Sequence, residues 1–332
     1  MATIADIARL TGLSMTTVSR YLNGHPYVSQ EAADIIREAI AELGYTPNST
    51  AVALRQGRTH RIALIVPTTA HSFYAALLAG AGDGARGHGY DLVVRQSPRV
   101  SEDTALELGH MLETRLIDGA IVAAEIPAEA VAPLADTAAP LVTCDQVLQD
   151  VPFSGVYTDH YASAQEVLVH LSETGRRDIV VIISSEPHGS SVLRRSAAED
   201  FLRETGGGAC VSFVVEDDDD SVTSGVGLGE RLLSRVPPPD AVFTGADQLA
   251  AGVLIAAERH GVRVPAELAI VGFDDQSLSQ TLGLTSVYQP TREMGRTAVD
   301  MLVKRIEGVA QGRNGVVERV ALSHELRRRR TS

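Results

Sequence analysis

Tryptophan is absent, and aromatic residues make up only 4% of the 332-residue chain. Hydrophobic residues still reach 44%, so a sizeable core can form, but it must be aliphatic and rich in alanine and glycine. Lysine is nearly missing: Lys304 stands alone, and almost every cation is a guanidinium. No apolar run approaches the ~18 residues that a membrane-crossing helix needs. A basic-then-apolar leader is missing too, because Asp6 and Arg9 interrupt the first apolar positions. Both absences point to a cytoplasmic protein with no membrane partner. Two cysteines, Cys144 and Cys210, are too few for a disulfide framework, and no Cys/His cluster has metal spacing. Neither metal nor cofactor is expected. No G-x-S-x-G, P-loop or H-E-x-x-H stands where a strand and helix would support it, so the chain reads as a non-enzyme.

Positive charge is also scarce. The net charge is -13, from 29 basic and 42 acidic residues, which argues against bulk binding of nucleic acid or anionic membrane by the whole chain. The excess acid lies beyond the first 60 residues. Within them Arg9, Arg20, Arg37, Arg55 and Arg58 balance Asp6, Glu31, Asp34, Glu38 and Glu42.

What is present falls into two textures. The first 60 residues read as short helices. Thr3 caps the first, with Asp6 in capping-box position; Gly12 breaks it, and Ser14 caps a second from Met15 to Leu22. Ser29 caps a third through Leu43, with Gly44 just past its end. From Arg61 onward, short Val/Ile/Leu runs alternate with amphipathic stretches: strands at Ile62–Val66, Leu92–Val94, Ala120–Val122 and Leu141–Thr143, then a bridge near 152–159. The alternation resumes with strands at Ile179–Ile183, Val211–Val215, Ala241–Phe243 and Leu268–Val271. A helix over 292–307 and a strand over 317–322 close the chain. Continuous apolar strands separated by helices indicate parallel sheets covered on both faces. The expected fold class is thus an all-α helix-turn-helix headpiece followed by an α/β core of two doubly wound parallel-sheet lobes, with a ligand cleft between them.

Two helices joined by a Gly-containing turn suit the major groove, where the N-terminal residues of the second helix meet base edges. Those residues are Met15, Thr16 and Thr17, with Arg20 one turn on and able to fork guanine. Ser14, Ser19 and Asn23 suit phosphate. On pattern alone a plain three-helix bundle remains open, and the neutral charge of the segment favours it.

The sequence resembles the lactose-repressor (LacI/GalR) family along essentially its whole length. The resemblance is carried by Thr3-Ile4-Ala5-Asp6-Ile7-Ala8, Thr17-Val18-Ser19-Arg20-Tyr21-Leu22-Asn23 and Glu42-Leu43-Gly44-Tyr45-Thr46-Pro47-Asn48. It continues through Leu54-Arg55-Gln56-Gly57-Arg58-Thr59 and Val264-Pro265-Ala266-Glu267-Leu268 to Val271-Gly272-Phe273-Asp274-Asp275. The resemblance implies a homodimeric transcriptional regulator, most simply a repressor, bound to a pseudo-palindromic double-stranded DNA operator and controlled by a small-molecule effector. It implies a headpiece over 1–47, a hinge over 48–60 and an effector-binding, dimerising core over 61–327. Lobe N would take about 61–158 plus 289–316, and lobe C about 159–287 plus 317–327, with crossings near 158–160, 287–289 and 317. It adds Thr3, Tyr27, Asn48, Ala51 and Leu54 to the DNA-facing set. Leu54 matches a side chain wedged into a central base step from the minor groove; packing between two hinge helices is the alternative. In the cleft it implies Arg195, Asp274, Asp145, Phe73 and Gln289 as effector contacts.

Several segments depart from the family. His71-Ser72-Phe73-Tyr74 replaces a usual Asn-Pro-Phe-Phe, Ala246 replaces an asparagine, Ala198-Glu199 replaces a Gly-aromatic pair, and Asp220 falls where an aromatic is common. A standard hexose effector is therefore not expected. Asp217-Asp218-Asp219-Asp220 either lends a carboxylate to the cleft, selecting a polar or cationic effector, or is a solvated acidic loop. Gly82-Asp83-Gly84-Ala85-Arg86-Gly87 matches G-x-G-x-x-G but lies deep in a helix, so close packing at a dimer interface or a weakened helix end explains it better than a dinucleotide. Arg327–Arg330 reads as a solvated tail. Effector-dependent activation and obligatory corepression remain open beside induction; a cytosolic ligand-binding protein or an enzyme is the remote alternative.

Overall fold

A computed structural model describes residues 2–22, 27–45, 58–136, 140–146, 153–184, 189–206, 208–216, 220–311 and 316–332. The chain divides into two compact units, Met1–Thr59 and His60–Ser332.

The first unit holds α1 (Ile4–Thr11), α2 (Met15–Leu22) and α3 (Gln30–Leu43). Its local signals are spent as expected of caps. Thr3 Oγ1 accepts from the Asp6 amide while the Asp6 carboxylate accepts from the Thr3 amide, a reciprocal capping box. Gly12 ends α1 and Gly44 ends α3, both at positive φ, where a Cβ would be strained. Ile7, Val18, Ile36 and Ala39, one or two from each helix, form the buried centre.

The second unit contains two six-stranded sheets. The first takes β1 (Arg61–Val66), β2 (Asp91–Gln96), β3 (Gly119–Val122), β4 (Leu141–Cys144), β5 (Ser154–Thr158) and β11 (Arg319–Leu322), in the order β11-β5-β4-β3-β1-β2. The second takes β6 (Asp178–Ser184), β7 (Cys210–Glu216), β8 (Ala241–Phe243), β9 (Ala269–Asp274), β10 (Thr285–Tyr288) and β12 (Glu325–Arg327), in the order β12-β10-β9-β8-β6-β7. All pairs are parallel except β10 with β12. The crossover helices are α4 (Ser72–Gly87), α5 (Glu102–Glu113) and α6 (Ala128–Asp136) in the first lobe. In the second they are α7 (His160–Glu173), α8 (Gly189–Thr205), α9 (Val222–Leu233), α10 (Asp247–Arg259) and α11 (Ser277–Leu282); α12 (Thr291–Ala310) returns to the first lobe. Apolar cores lie on both faces of each sheet, which explains the unbroken burial of β3, β8 and β9. No helix among the described residues is long and apolar enough to cross a membrane.

Three expectations need correction. The strand over 317–322 belongs to the first lobe, because β11 pairs with β5; the third crossing falls at Ser323-His324. The terminal arginines are not a solvated tail. Arg327 and Arg329 reach the fully buried carboxylate of Asp275 at 2.7 and 2.6 Å, and Thr331 Oγ1 donates to the Ile270 carbonyl at 2.7 Å. The glycine-rich helix packs within the chain. A Cβ on Gly80 would come 1.9 Å from the Arg292 carbonyl oxygen of α12, and one on Gly84 would come 3.1 Å from Val299 Cβ.

Candidate functional site

In the first unit α2 presents one face inward and one outward. Val18 is buried, while Met15 is 57% exposed and Thr16 and Arg20 are also exposed. Thr17 and Ser19 are half-buried between the two faces. Ser14 Oγ accepts from the Thr17 amide at 3.1 Å, so Ser14 and Thr3 both serve as caps at exposed helix starts. Tyr27 is 83% exposed. The outward face is thus polar around one long apolar side chain and one guanidinium, the donor and acceptor set that base edges and phosphates accept. Asn23, Asn48, Ala51 and Leu54 lie outside the described residues.

In the second unit a constellation assembles at the carboxyl ends of parallel strands, where open α/β sheets bind ligands. Asp145 follows β4, Asp274 ends β9, Gln289 follows β10, and His71 to Tyr74 follow β1. Arg194 lies in α8 after β6, and Asp220 precedes α9 after β7. Asp145, Asp274 and Asp275 all take positive φ, strained for non-glycine residues and typical of positions fixed for a task.

The contacts join both lobes. His160, the first residue of α7 and the first beyond the crossing at Asp159, meets Asp145 Oδ1 through Nε2 at 3.1 Å. The His160 ring stacks on Phe273 at 5.4 Å between centroids, and the Arg194 guanidinium lies 4.7 Å from the centre of the Phe273 ring. Gln289 Nε2 donates to Asp274 Oδ1 at 2.5 Å. Burial pushes the Asp274 carboxyl well above its usual range, and the nearby Asp247 and Asp145 carboxylates add to the shift; Gln289 and Arg194 oppose it. Burial also lowers the Arg194 guanidinium, against the pull of Asp274, Asp145 and Asp220. Tyr74 is raised by burial and then by the same three carboxylates. Burial lowers His71, with Asp220 working against it. Arg194 and Tyr74 thus both lie within electrostatic reach of Asp145, Asp220 and Asp274. Behind it, Asp247 accepts from Ser286 Oγ at 2.6 Å and from the Gln276 amide at 2.7 Å, fixing the turn that carries Asp274.

Several buried polar atoms there have no partner: Arg194 Nε, Gln289 Oε1, His160 Nδ1 and His71 Nε2. Unpaired buried groups cost about 1–3 kcal/mol each, so their convergence is the signature of a site made for a polar ligand.

Of the expected effector residues, Asp145, Asp274 and Gln289 meet in this constellation. Phe73 is buried in the first lobe's core, edge-on to Tyr74 at 5.0 Å, and it is Tyr74 that senses the cleft carboxylates. Arg195 is corrected to Arg194. The inward face of α8 runs Ser191, Arg194, Ala197, Ala198, Phe201, at helical spacing, and Arg194 is only 8% exposed. Arg195 points the other way, exposed, with its guanidinium 4.6 Å from the centre of the Phe213 ring. Counting back from Ala198 and Phe201 would have found this phase. His160 and Phe273 escaped notice because each reads locally as an ordinary helix start or core strand residue. Asp217, Asp218 and Asp219 lie outside the described residues; Asp220 does not.

Residues 3–48 match the family of bacterial regulatory proteins, lacI family, and residues 168–332 match a periplasmic binding protein-like domain. The NTD biosynthesis operon regulator NtdR of Bacillus subtilis (strain 168) is 32% identical, with 93% of this chain and 94% of that protein aligned. Among solved structures, the Lac repressor dimer bound to operator and the anti-inducer ONPF superposes with a TM-score of 0.86 at 25% identity, covering 99% of this chain and 98% of that one. The complex of the transcriptional regulator CelR with cellobiose superposes with a TM-score of 0.70 at 29% identity, covering 100% of both chains.

Proposed function

The chain belongs to the lacI family of bacterial regulatory proteins, and on that premise we propose that it works in the cytoplasm as a homodimer gripping a pseudo-palindromic operator. It is a sequence-specific DNA-binding transcriptional regulator with an effector-binding core. In our reading Met15, Thr16, Thr17 and Arg20 read bases, while Thr3, Ser14, Ser19, Asn23 and Tyr27 meet the backbone. Asn48, Ala51 and Leu54 act from the hinge, Leu54 as a minor-groove wedge. The effector is a small polar molecule held by Arg194, Asp145, Asp274 and Gln289. Nothing in this scheme asks the chain to turn the effector over.

The observation that carries the proposal is the pair of contacts that straddles the lobes, His160 to Asp145 and Gln289 to Asp274. Each joins a residue at a crossing to a carboxylate of the cleft. A ligand that engages Asp145 and Asp274 must therefore act on the crossings, and lobe closure follows. Closure changes the spacing of the two hinges in the dimer, and operator affinity changes by the coupling free energy, typically ~1–3 kcal/mol. We assign the effector the sign of an inducer that releases DNA.

The test is selection of bound duplexes from a random DNA pool by the purified chain without added ligand. Enrichment of a palindrome with a central CG step is expected. Enrichment that appears only after adding cell metabolite extract would reverse the sign, making the effector a corepressor. No enrichment under either condition would remove the DNA-reading role.

A further inference from the structure

Asp275 follows the cleft residue Asp274 and carries a fully buried carboxylate of its own. Two guanidiniums serve it, and they are not equivalent. Arg327 Nη1 donates to Asp275 Oδ2 at 2.7 Å. Arg329 Nη1 lies 2.6 Å from Oδ1 as an ion pair, but its hydrogen bond goes to the Leu284 carbonyl at 2.7 Å. The Arg329 amide donates to Thr285 Oγ1 at 2.9 Å. Arg329 is therefore anchored at the start of β10, the end away from the second crossing.

Arg327 holds several elements at once. It stands in β12, just past the third crossing at Ser323-His324. Its Nε donates to Glu325 Oε2 at 3.1 Å, and its guanidinium lies 3.7 Å from the centre of the Tyr288 ring. Tyr288 ends β10 and immediately precedes Gln289 at the second crossing. In the sheet register Tyr288 lies between Asp274 of β9 and Glu325 of β12, and Arg327 lies beside Ser286. The turn that Arg327 grips is fixed on its other side. There the Asp275 amide donates to Ser286 Oγ at 3.1 Å, and the Gln276 amide donates to Asp247 Oδ2 at 2.7 Å. Asp274 and Asp275 both sit at positive φ, which persists only where surrounding contacts hold it. A guanidinium suits this bridge because its plane can stack while its edge forks hydrogen bonds, and an ammonium cannot do both.

We propose that Arg327 is a positioning residue of the effector site. Through Asp275 it fixes the turn that carries Asp274, and through Tyr288 and β12 it ties that turn to the second and third crossings. This rests on the cleft being an effector site that reports to the DNA-binding unit. Lobe movement that bends the chain at Ser323-His324 shifts the guanidinium, and Asp275 follows. Arg329 shares the carboxylate without sharing the link.

The experiment is hydrogen exchange on the full chain, free and saturated with an operator duplex recovered from the random pool, read at the Asp275 and Gln276 amides. In the wild type their protection should change by about fivefold or more between the two states, the low end of an ordinary coupling. In Arg327→Met the change should fall below about twofold while the duplex still binds. Arg329 still neutralises Asp275 in that variant, so the fold should survive. Arg329→Met is the control: it should lower the melting temperature yet keep the operator-dependent change, which a merely structural role for both arginines would not produce. Arg327→Lys returns the charge without the fork and the stack, and should recover stability but not the change. If Arg327→Met does not fold, Arg327→Lys decides on the same criterion. A full change in Arg327→Met, an equal loss in Arg329→Met, or full recovery in Arg327→Lys overturns the inference and leaves the proposed function standing. So does a wild type that binds the duplex with no change at these amides. If no duplex is recovered, the DNA-reading role fails and the inference falls with it.

Discussion

Arg194 and Arg195 are neighbours in α8, about 100° apart around the helix, and that rotation separates a buried cation under three carboxylates from a surface one resting on Phe213. Arg194→Ala should weaken effector binding by about tenfold or more, the size of a lost charge-assisted hydrogen bond, and abolish effector-driven release of operator. Arg195→Ala should leave effector affinity within about twofold, since an exposed cation–π contact is weak. Calorimetry and operator anisotropy on both variants check this. Asp247 carries a second residue-scale consequence. Burial raises its carboxyl to about 6, while hydrogen bonds from Ser286 and Gln276 limit the rise. The folded pKa thus exceeds the unfolded value of 3.8, so the folded chain holds more protons between the two. Its contribution to stability is fully present below the unfolded pKa and is lost as pH rises through about 6. The whole swing is roughly 3 kcal/mol. Asp247→Asn should flatten that slope in urea unfolding measured from about pH 4 to pH 7.

At the scale of elements, α4 and α12 approach closely because glycines line their seam. A Cβ at Gly80 would overlap the Arg292 carbonyl, and one at Gly295 would sit 2.3 Å from the Leu77 carbonyl oxygen, whereas Gly82 faces open space. Gly80→Ala should therefore destabilise the protein by about 1–3 kcal/mol through overpacking, and Gly82→Ala should stabilise it by about 0.5–1 kcal/mol through helix propensity. Opposite shifts in melting temperature are the expected result; two shifts of one sign would mean the seam does not dictate the glycines. The sequence made most helices and the apolar strands legible, because period 3.6 and unbroken Val/Ile runs are local signals. It hid β5, β10, β12 and α11. The strands Ser154–Thr158 and Thr285–Tyr288 are rich in hydroxyls that look like loop, and their burial is tolerable only because distant groups pair them. Ser286 Oγ donates to Asp247, and the Thr285 amide donates to Thr331 Oγ1 at 2.8 Å. The placement of β11 beside β5 is likewise a long-range pairing that no local pattern encodes. The cleft carboxylates were legible from motif position, but the phase of α8 and the role of His160 emerged only once the lobes met. The buried C-terminal residues yield a further expectation. Thr331→Val leaves the Thr285 amide without its acceptor, and should cost about 1–3 kcal/mol in urea unfolding.

For the whole molecule, the charge distribution bears on how the two units share one task. The net charge of -13 leaves the first 60 residues neutral and the core acidic. Nonspecific attraction to phosphate should therefore be weak, and discrimination must come from contacts such as Arg20, where a bidentate guanine contact is worth about 1–3 kcal/mol. A protein with little bulk attraction is easily released, since a modest coupling free energy moves it between bound and free. That coupling must run both ways. If the effector lowers operator affinity by some factor, operator must lower effector affinity by the same factor. Calorimetric titration of a ligand of the cleft into the full chain, with and without saturating operator duplex, should give two affinities. Their ratio should equal the ratio of operator affinities measured with and without that ligand, about tenfold for a coupling of 1.4 kcal/mol. Equal operator affinities beside unequal ligand affinities would break the cycle, which thermodynamics forbids for one species. Such a result would mean that the protein binding DNA and the protein binding ligand differ in assembly state. Equal values throughout would mean that the ligand fills the cleft without reaching the DNA-binding unit, and the cleft would then be a binding site with no regulatory output.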